Sequence, residues 1–503
     1  MIFLFLVFET NPFNFSLKLC LRGLVAEKEA SVEGITVKKE VDFSEWYNQV
    51  VLKAELADYA PVRGFMTIRP RGYAIWQAIQ DYFNQVIKSK GVRNVYFPLL
   101  IPESFFKKES EHAEGFAPEL AWIERKEGDE ERVAIRPTSE TIMYDAFAKW
   151  IRSWRDLPFR INQWCNILRW EVKQTKLFLR TREFLWQEGH CVYETEGECV
   201  KEALMFLGEY KRLAEELLAI PVFDGEKTEL ERFAGGKATF TLEALMPDGK
   251  ALQMGTSHNL GQNFAKSFGL KFLSRNEKEQ FAWQNSWGFS TRLIGAVVMV
   301  HSDNKGLVLP PRIAEHKAVV VPIIFEKNRE KVLRKAKELA TQLKEVNAFV
   351  DDRDAYSAGW KFNEWELKGI PLRVEFGPKD LEKKQAVLVR RDTGKKTIVK
   401  WSSLKKEVKK QLEEMQENLF KKAEKFLKES TVEVSRWNEF KRAVSEKKLV
   451  FAPFCEKTGC EEEIKRETTA TSRCIPFNQK EAKLECVKCG SAASRKSYFA
   501  KSY

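Results

Sequence analysis

RPTSE at Arg136–Glu140 and NILRWEVKQTKLFLRTREFLWQEGHC at Asn166–Cys191 are the stretches from which the rest of the chain is read. The second sets Arg169, Glu171, Arg180, Arg182, Glu183, Glu188 and His190 among Trp, Leu and Phe. Its alternation predicts a strand over Ile167–Val172, a turn over Lys173–Lys176 and a return strand over Leu177–Trp186. Guanidinium groups carried into an apolar sheet are costly unless they meet anions. A phosphate suits them, because arginine offers a planar fork of donors. Ion pairs of Arg169 with Glu171 and of Arg182 with Glu183 account for the same residues equally well at this point.

Around these stretches lies a chain of 503 residues, long enough for two to four domains with cores of their own. With 44% hydrophobic and 31% charged residues, it reads as folded and globular, neither disordered nor membrane-embedded. A net charge of +12 favours a polyanionic partner such as nucleic acid, although charge alone is a weak discriminator. Nine cysteines do not form a secreted disulfide scaffold. Cys165, Cys191 and Cys199 stand singly, whereas four of the last five fall into two close pairs, the pattern of a reducing compartment with one metal site. Met1–Phe8 (MIFLFLVF) is apolar but has no basic region before it, and Glu9 follows directly. A bilayer needs roughly 20 such residues. A start codon assigned too far upstream fits residues 1–40 at least as well as a signal peptide does. No other transmembrane candidate occurs, so the expected location is cytoplasmic, with no membrane partner.

Helical periodicity covers Val41–Ala60, with Phe43, Trp46, Val50 and Leu52 near one face, and Gly72–Lys90, with Ile75, Ile79, Phe83 and Ile87 four apart. Asn94–Leu100 reads as a strand interrupted by Pro98, which belongs at an edge or an interface. Glu111–Glu131 is a charged, turn-rich loop. A helix is expected over Cys199–Ile220 and part of an antiparallel hairpin over Phe233–Leu245. Gln253–Leu270 should pass from a small-residue turn carrying His258 into a helix, and Gln284–Val300 from a strand into an apolar helix. Beyond Pro310–Pro311 a boundary falls near Ala314. There follow a strand at Lys317–Ile324, a helix at Arg329–Val346 and a strand at Ala348–Asp351. A helix at Gly359–Gly369, a strand at Leu372–Phe376 and two strands flanking Asp392–Lys396 complete an α/β domain. Leu404–Ser430 is a long helix rich in Lys and Glu.

Several nucleotide-binding signatures are missing. No GxxxxGK[ST] occurs and no GxGxxG follows a strand, so bound ATP must be held by arginines on a sheet. His258 is one of five histidines, and a lone histidine is more often structural than catalytic. Cys455 and Cys460 are separated by four residues, and Cys486 and Cys489 by two, the form of a four-cysteine zinc site with Cys474 as a competing ligand.

Taken in order, RPTSE, RWEVKQTKLFLRTREFLWQEGH, QMGTSHNLGQNF and NSWGFSTRLIG resemble motif 2 with its upstream amino-acid loop, the segment between, and motif 3 of the class II prolyl-tRNA synthetases. The type resembled is the archaeal and eukaryotic-like one. Gly72 to Pro98 fits motif 1, the dimer element, and KFNEWELKGIPLRVEFGPKDLEKKQAVL continues the resemblance. It covers roughly Val41 to Tyr503, far more than an analogy of fold.

The resemblance implies three domains after the 1–40 extension. Residues 41–313 form an α+β catalytic domain, a class II antiparallel sheet with flanking helices. Residues 314–415 form an α/β anticodon-binding domain, and 416–503 a small α+β zinc-binding C-terminal domain. Residue by residue, Arg169 is the motif 2 arginine, touching the α-phosphate and the proline carboxylate. Arg292 is the motif 3 arginine near the γ-phosphate, with Ser290 beside it. Glu171, Arg180, Thr181, Gln253 and Thr256 match further ATP contacts, Phe184 stacks on adenine, and Gln253 lies near the Mg²⁺ position. Thr138, Glu140 and His258, with Arg169, match the proline-binding positions, and Trp170 is a candidate wall for the proline ring. Glu366, Arg373 and Lys395 align with anticodon readers. Cys455, Cys460, Cys486 and Cys489 match the zinc ligands. Their role is structural, because four thiolates leave no open coordination position. Tyr503 matches a terminal tyrosine that folds back toward the active site. The implied cofactors are ATP, Mg²⁺ and structural Zn²⁺; the partners are L-proline, tRNA(Pro) and a second copy in a homodimer. Only about 60 residues separate His190 from Gln253, too few for the large editing insertion of bacterial-type relatives.

Overall fold

The computed structural model describes residues 34–110, 119–124, 126, 128 and 130–503. Most of the N-terminal extension, including Met1–Phe8, and part of the Glu111–Glu131 loop lie outside the described residues.

The two N-terminal helices form where the apolar spacing indicates. The first, Phe43–Lys53, starts at Asp42, whose carboxylate accepts from the backbone N–H groups of Ser44 and Glu45, both at 3.0 Å. It is shorter than the periodicity suggests, because Ala57–Tyr59 turns into a small hairpin with Met66–Ile68. The second, Pro70–Ser89, opens on a proline at its first turn and buries Ile75, Ile79, Phe83 and Ile87. Asn94–Leu100 is not one strand. Arg93–Asn94 and Leu100–Pro102 pair with different partners, and Pro98 lies between them, where no ladder N–H is required.

Both helices pack on the face of an eleven-stranded sheet. Its main path runs Thr431–Glu433, Leu449–Phe454, Arg495–Ser502, Lys250–Gly261, Trp283–Ser290, Glu183–Tyr193, Phe159–Leu168 and Arg93–Asn94. Lys250–Gly261 pairs antiparallel with Trp283–Ser290 and with Ala238–Leu245. The chain's last strand, Arg495–Ser502, runs parallel to its beginning. The C-terminal region thus extends the central sheet rather than hanging from it.

Two readings of these strands need correction. The central hairpin comprises Phe159–Leu168 and Glu183–Tyr193, so its crossing loop runs from Arg169 to Arg182. Leu177, Phe178 and Leu179 look like strand residues because they are apolar, but they anchor this loop in the core, each 2% exposed. Phe178 has φ 61°, outside the strand range. Likewise, QMGTSH is not a turn. It lies within the Lys250–Gly261 strand, where small residues accommodate close neighbours on both sides.

A second, five-stranded sheet has the order Phe349–Val350, Ala318–Pro322, Leu372–Phe376, Gln385–Arg390, Lys396–Lys400. With helices Arg329–Gln342 and Ala358–Leu367 it forms the expected α/β domain with its own core. Helix Leu404–Ser430 packs on that core through Leu404, Val408 and Leu412, and reaches the catalytic region through Met415 and Leu419. Among the described residues no helix is long and apolar enough to cross a membrane.

Candidate active site

One cavity of about 250 Å³ opens on the face of the central sheet. Of the residues singled out in the sequence, Thr138, Glu140, Arg169, Phe184, Gln253, Thr256, His258, Ser290 and Arg292 line it. Thr138 and Glu140 come from the turn that begins helix Glu140–Trp150, and both are buried. The Thr138 hydroxyl donates to the Glu140 carboxylate. Arg136, at the head of RPTSE, does not face the cavity. Its guanidinium donates to the carbonyls of Asn166 (2.9 Å) and Phe97 (2.7 Å), tying the segment before the helix to the sheet.

Arg169 stands at the end of the Phe159–Leu168 strand over the ring of Phe184, 5.5 Å from its centroid. Neither proposed internal ion pair forms. Arg182 donates to the Val172 carbonyl at 3.1 Å and lies over Trp170, while Glu183 accepts from Asn166 at 2.7 Å. Among the described residues Arg169 has no carboxylate at ion-pairing distance. Burial depresses its pKa, opposed by the charges of Glu171, Glu140 and Glu188. Arg292 begins the helix Arg292–His301 and gives its Nε–H to the Leu179 carbonyl at 3.2 Å. Burial and then the charge of Arg169 push its pKa down to about 10. Two guanidinium groups that repel each other across one cavity are an anion site.

Beneath them runs a polar chain not recognisable as a unit from sequence. Ser139 (2.5 Å), Gln163 (2.9 Å) and Cys165 (3.3 Å) donate to Glu188 Oε1, while His190 Nε2 meets Oε2 at 3.1 Å. Tyr144 Oη lies 2.9 Å from His190 Nδ1. Burial opposes the Glu188 charge, yet His190, Ser139 and Gln163 outweigh it and hold the carboxyl below its usual range. Burial also opposes a charge on His190, but Glu188 outweighs it and raises that pKa. His258 lies on the strand, 3.0 Å from Thr239 Oγ1 and 4.7 Å from the Phe233 ring centroid. Burial, then His190, pushes its pKa down to about 3, so it is neutral at pH 7.

Four of the residues named for this site, Glu171, Arg180, Thr181 and Trp170, do not line the cavity. Glu171 and Arg180 are exposed on the crossing loop, and Arg180 adds to the positive field at Arg292. Thr181 is buried and donates to the Glu183 carbonyl at 2.7 Å. Trp170 faces Phe65, so the aromatic walls are instead Phe184, Trp186, Phe233, Trp287 and Phe289. Sequence reasoning also missed Lys227, Glu231, Thr239 and Ser286 on the lining. Alternation over Phe233–Leu245 carried a signal for Thr239; nothing local marked Lys227. Ser286, on the lining, has a buried Oγ without a hydrogen-bond partner among the described residues.

In the α/β domain, Glu366 holds Lys305 of the catalytic region at 3.0 Å. Arg373 is buried against Glu375 at 3.1 Å, and Lys395 is exposed in the turn before Lys396–Lys400. In the C-terminal region the sulfurs of Cys455, Cys460, Cys486 and Cys489 lie within 4.8 Å of one another, with Cys455–Cys489 and Cys460–Cys486 at 3.7 Å. A tetrahedral site with metal–sulfur bonds of about 2.3 Å has edges of about 3.8 Å, so these thiols fit a zinc ion. Cys474 is excluded from this set; it is fully buried against Phe223 and Leu245.

A largely antiparallel sheet whose crossing loop and following helix bring two arginines, without carboxylate partners among the described residues, to one cavity, joined to a separate α/β domain, is the arrangement of a class II aminoacyl-tRNA synthetase. Comparison with known proteins agrees. Residues 122–301 match the tRNA synthetase class II core domain (G, H, P, S and T), 317–411 the anticodon binding domain, and 437–503 the prolyl-tRNA synthetase C-terminal domain. The chain is 52% identical to a proline–tRNA ligase of Alkaliphilus oremlandii, over 94% of this chain and 98% of the relative. It is 49% identical to that of Natranaerobius thermophilus, over 94% and 99%. Prolyl-tRNA synthetase of Cryptosporidium parvum, solved with L-proline and AMP, superposes with a TM-score of 0.89 at 42% identity, over 96% of this chain and 99% of that one. The chain belongs to the prolyl-tRNA synthetase family.

Proposed function

We propose that this chain performs its proline–tRNA ligation in the cavity between the RPTSE turn and the Lys250–Gly261 strand. The observation that carries the assignment is the pair Arg169 and Arg292, half-buried on one cavity with no carboxylate partner among the described residues, together with the buried carboxylate of Glu140 on the same lining. The first two suit a triphosphate and a carboxylate; the third suits the secondary ammonium of proline. Glu140, Thr138 and the neutral His258 offer acceptors to the two ammonium protons, and the aromatic walls enclose the ring.

In the activation step an oxygen of the proline carboxylate forms a bond to the α-phosphorus of ATP. The bond from that phosphorus to the bridging oxygen breaks, and pyrophosphate leaves with the electron pair. Arg169 lies where it can hold the attacking carboxylate and the α-phosphate together. Its charge is fixed before the reaction, so stabilising the crowded phosphoryl oxygens needs little reorganisation. Arg292, with Ser290, serves the γ-phosphate end; Phe184 serves adenine; Glu171, Arg180 and Thr181 border the nucleotide from the crossing loop. Gln253 and Thr256 line the cavity without side-chain hydrogen bonds among the described residues, so their oxygens are free for Mg²⁺ and its water shell. Bound there, the cation would neutralise charge on the β- and γ-phosphates. In the second step a ribose hydroxyl at the 3′ end of tRNA(Pro) attacks the adenylate carbonyl, and AMP departs.

The domains follow the limits 41–313, 314–415 and 416–503, although helix Leu404–Ser430 crosses the last of these. Glu366, Arg373 and Lys395 are proposed to read the anticodon. Lys395 is already exposed, whereas Glu366 and Arg373 would exchange their present ion-pair partners for base edges. The four cysteines would hold a structural zinc. A homodimer is supported by the exposed aromatic surface at the end of the motif 1 segment, where Tyr96 is 73% and Trp150 52% exposed. The setting is cytoplasmic translation. Proline-dependent ATP–pyrophosphate exchange tests the reading. Exchange is expected with proline and lost in Arg169→Ala by a factor of about 100 or more, with the oligomeric state unchanged. Exchange with another amino acid and none with proline would overturn the specificity.

A further inference from the structure

The segment that brings Lys227 to the cavity is held from two sides. It pairs antiparallel with the catalytic strand Ala238–Leu245, where Lys227 gives its backbone N–H to the Thr239 carbonyl at 2.8 Å, and it is bound on its other side by the C-terminal domain. Its strand, Phe223–Glu226, exchanges backbone hydrogen bonds with Ile475 at both atoms of Glu226 (2.9 and 2.8 Å). Gly225 permits this approach: a Cβ there would lie 2.3 Å from the Ile475 carbonyl oxygen. Thr228 donates to Glu461 at 3.0 Å. Lys227 lines the cavity and gives its ammonium to Glu243 at 2.9 Å. Arg473, on the Thr471–Cys474 strand, closes a fork on the same carboxylate, at 3.2, 3.0 and 2.9 Å. Thr241 adds a bond at 3.1 Å. All three charged residues are buried, Glu243 completely.

This cluster holds two cations against one carboxylate. Glu231 and Glu461 are nearby, but neither forms an ion pair with Lys227 or Arg473 among the described residues. Burying an uncompensated cation is expensive, and wild-type proteins keep one where a ligand completes it. Its position identifies the ligand. Glu243 stands directly opposite Gln253 in the sheet register, and Gln253 lines the cavity. Glu243 and Arg473 both act on the charge of Arg292, the arginine assigned to the γ-phosphate end.

We propose that Lys227 is a further binding residue for the pyrophosphate moiety of ATP, and that Arg473 of the C-terminal domain is the positioning residue that keeps it there. By occupying Glu243 with a fork, Arg473 leaves the Lys227 ammonium only partly neutralised and turned toward the cavity. The excess charge is met when the β- and γ-phosphates arrive. This deepens the proposed function and rests on it, because it takes the cavity as the ATP site.

The test is steady-state exchange with Lys227→Met, Arg473→Met, Arg473→Lys and Glu243→Gln, alongside calorimetric titration of magnesium pyrophosphate into each protein. Lys227→Met is expected to raise KM for ATP and for pyrophosphate about tenfold or more, with KM for proline within about twofold. Arg473→Met should reproduce part of that selective change and Arg473→Lys should recover part of it. Equal changes in the proline and ATP constants would overturn the proposal, as would a lowered Tm of Arg473→Met with unchanged kinetics. If Arg473→Met does not fold, pyrophosphate affinity in Lys227→Met decides: an unchanged value sinks the idea. Wild-type protein that binds pyrophosphate yet shows no proline-dependent exchange would sink the functional reading instead, and the titration would still judge Lys227.

Discussion

Arg169 and His258 behave oppositely although both are half-buried at the same cavity. Arginine cannot shed its proton, so burial leaves a charge that awaits an anion; histidine loses its proton and becomes a neutral acceptor. The neutral histidines carry a pH signature. His258 titrates at about 3 and His301, bound to the Leu218 carbonyl at 2.8 Å, at about 4, both depressed chiefly by burial. Their folded values lie below the unfolded value of about 6.5, so the unfolded chain binds more protons between these limits. Their contribution to stability is complete above pH 6.5 and declines as pH falls toward 4. Denaturant melts from pH 7 to 4.5 should show it, and His301→Gln should flatten the slope by about 1.4 kcal/mol per pH unit. An unchanged slope would mean that His301 is charged in the fold. His190, raised by Glu188, contributes in the other sense: its stabilisation is complete below about 6.5 and is lost as pH rises through its folded value.

The crossing loop Arg169–Arg182 shows how an element can mislead. Its apolar run Leu177–Leu179 reads as a strand, yet serves as an anchor beneath the loop that carries Arg180. Tyr47 donates to the Leu177 carbonyl at 2.7 Å, and Arg292 to that of Leu179. The anchor fits because position 295 is glycine: a Cβ there would lie 2.5 Å from Leu179 Cδ2 and 2.9 Å from the Tyr47 hydroxyl oxygen. Gly295→Ala should therefore push the loop outward. A loss of about 1–3 kcal/mol is expected from overpacking, together with a several-fold rise in KM for ATP and a smaller one for proline. Thermal melting with exchange kinetics checks both; an unaltered KM for ATP would show that the anchor does not position the nucleotide.

For the whole molecule, the sheet joins domains that sequence comparison treats separately. Strand Arg495–Ser502 pairs with Lys250–Gly261, and Tyr503 donates to Asp248 at 2.8 Å. Damage to the cysteine cluster should then reach the catalytic core. Cys486→Ser is expected to lose bound zinc and several kcal/mol of stability, while the folded fraction retains proline activation; full zinc content by metal analysis would contradict the ligand set. A cavity that fits proline cannot strongly exclude alanine, since each lost methylene is worth only about 1–3 kcal/mol. Alanine-dependent exchange should be measurable, and Ala-tRNA should persist in the presence of the purified chain. Rapid deacylation would reveal a correcting site.

Spacing by itself determined the two N-terminal helices, the α/β domain and the pairing of cysteines, and the resemblance carried by the ordered motifs supplied nine of the residues that line the cavity, from Thr138 to Arg292. These are local signals: apolar periodicity, or residue types fixed within a few positions of one another. The tertiary structure alone decided what depends on residues far apart in the chain. It turned QMGTSH from a turn into a strand, removed Trp170 from the cavity and excluded Cys474 from the metal set. It also joined Lys227 and Glu243 to Arg473. Such choices are made by burial and by the partners a fold brings together, and a buried charge has no sequence signature until its counter-charge arrives from another domain.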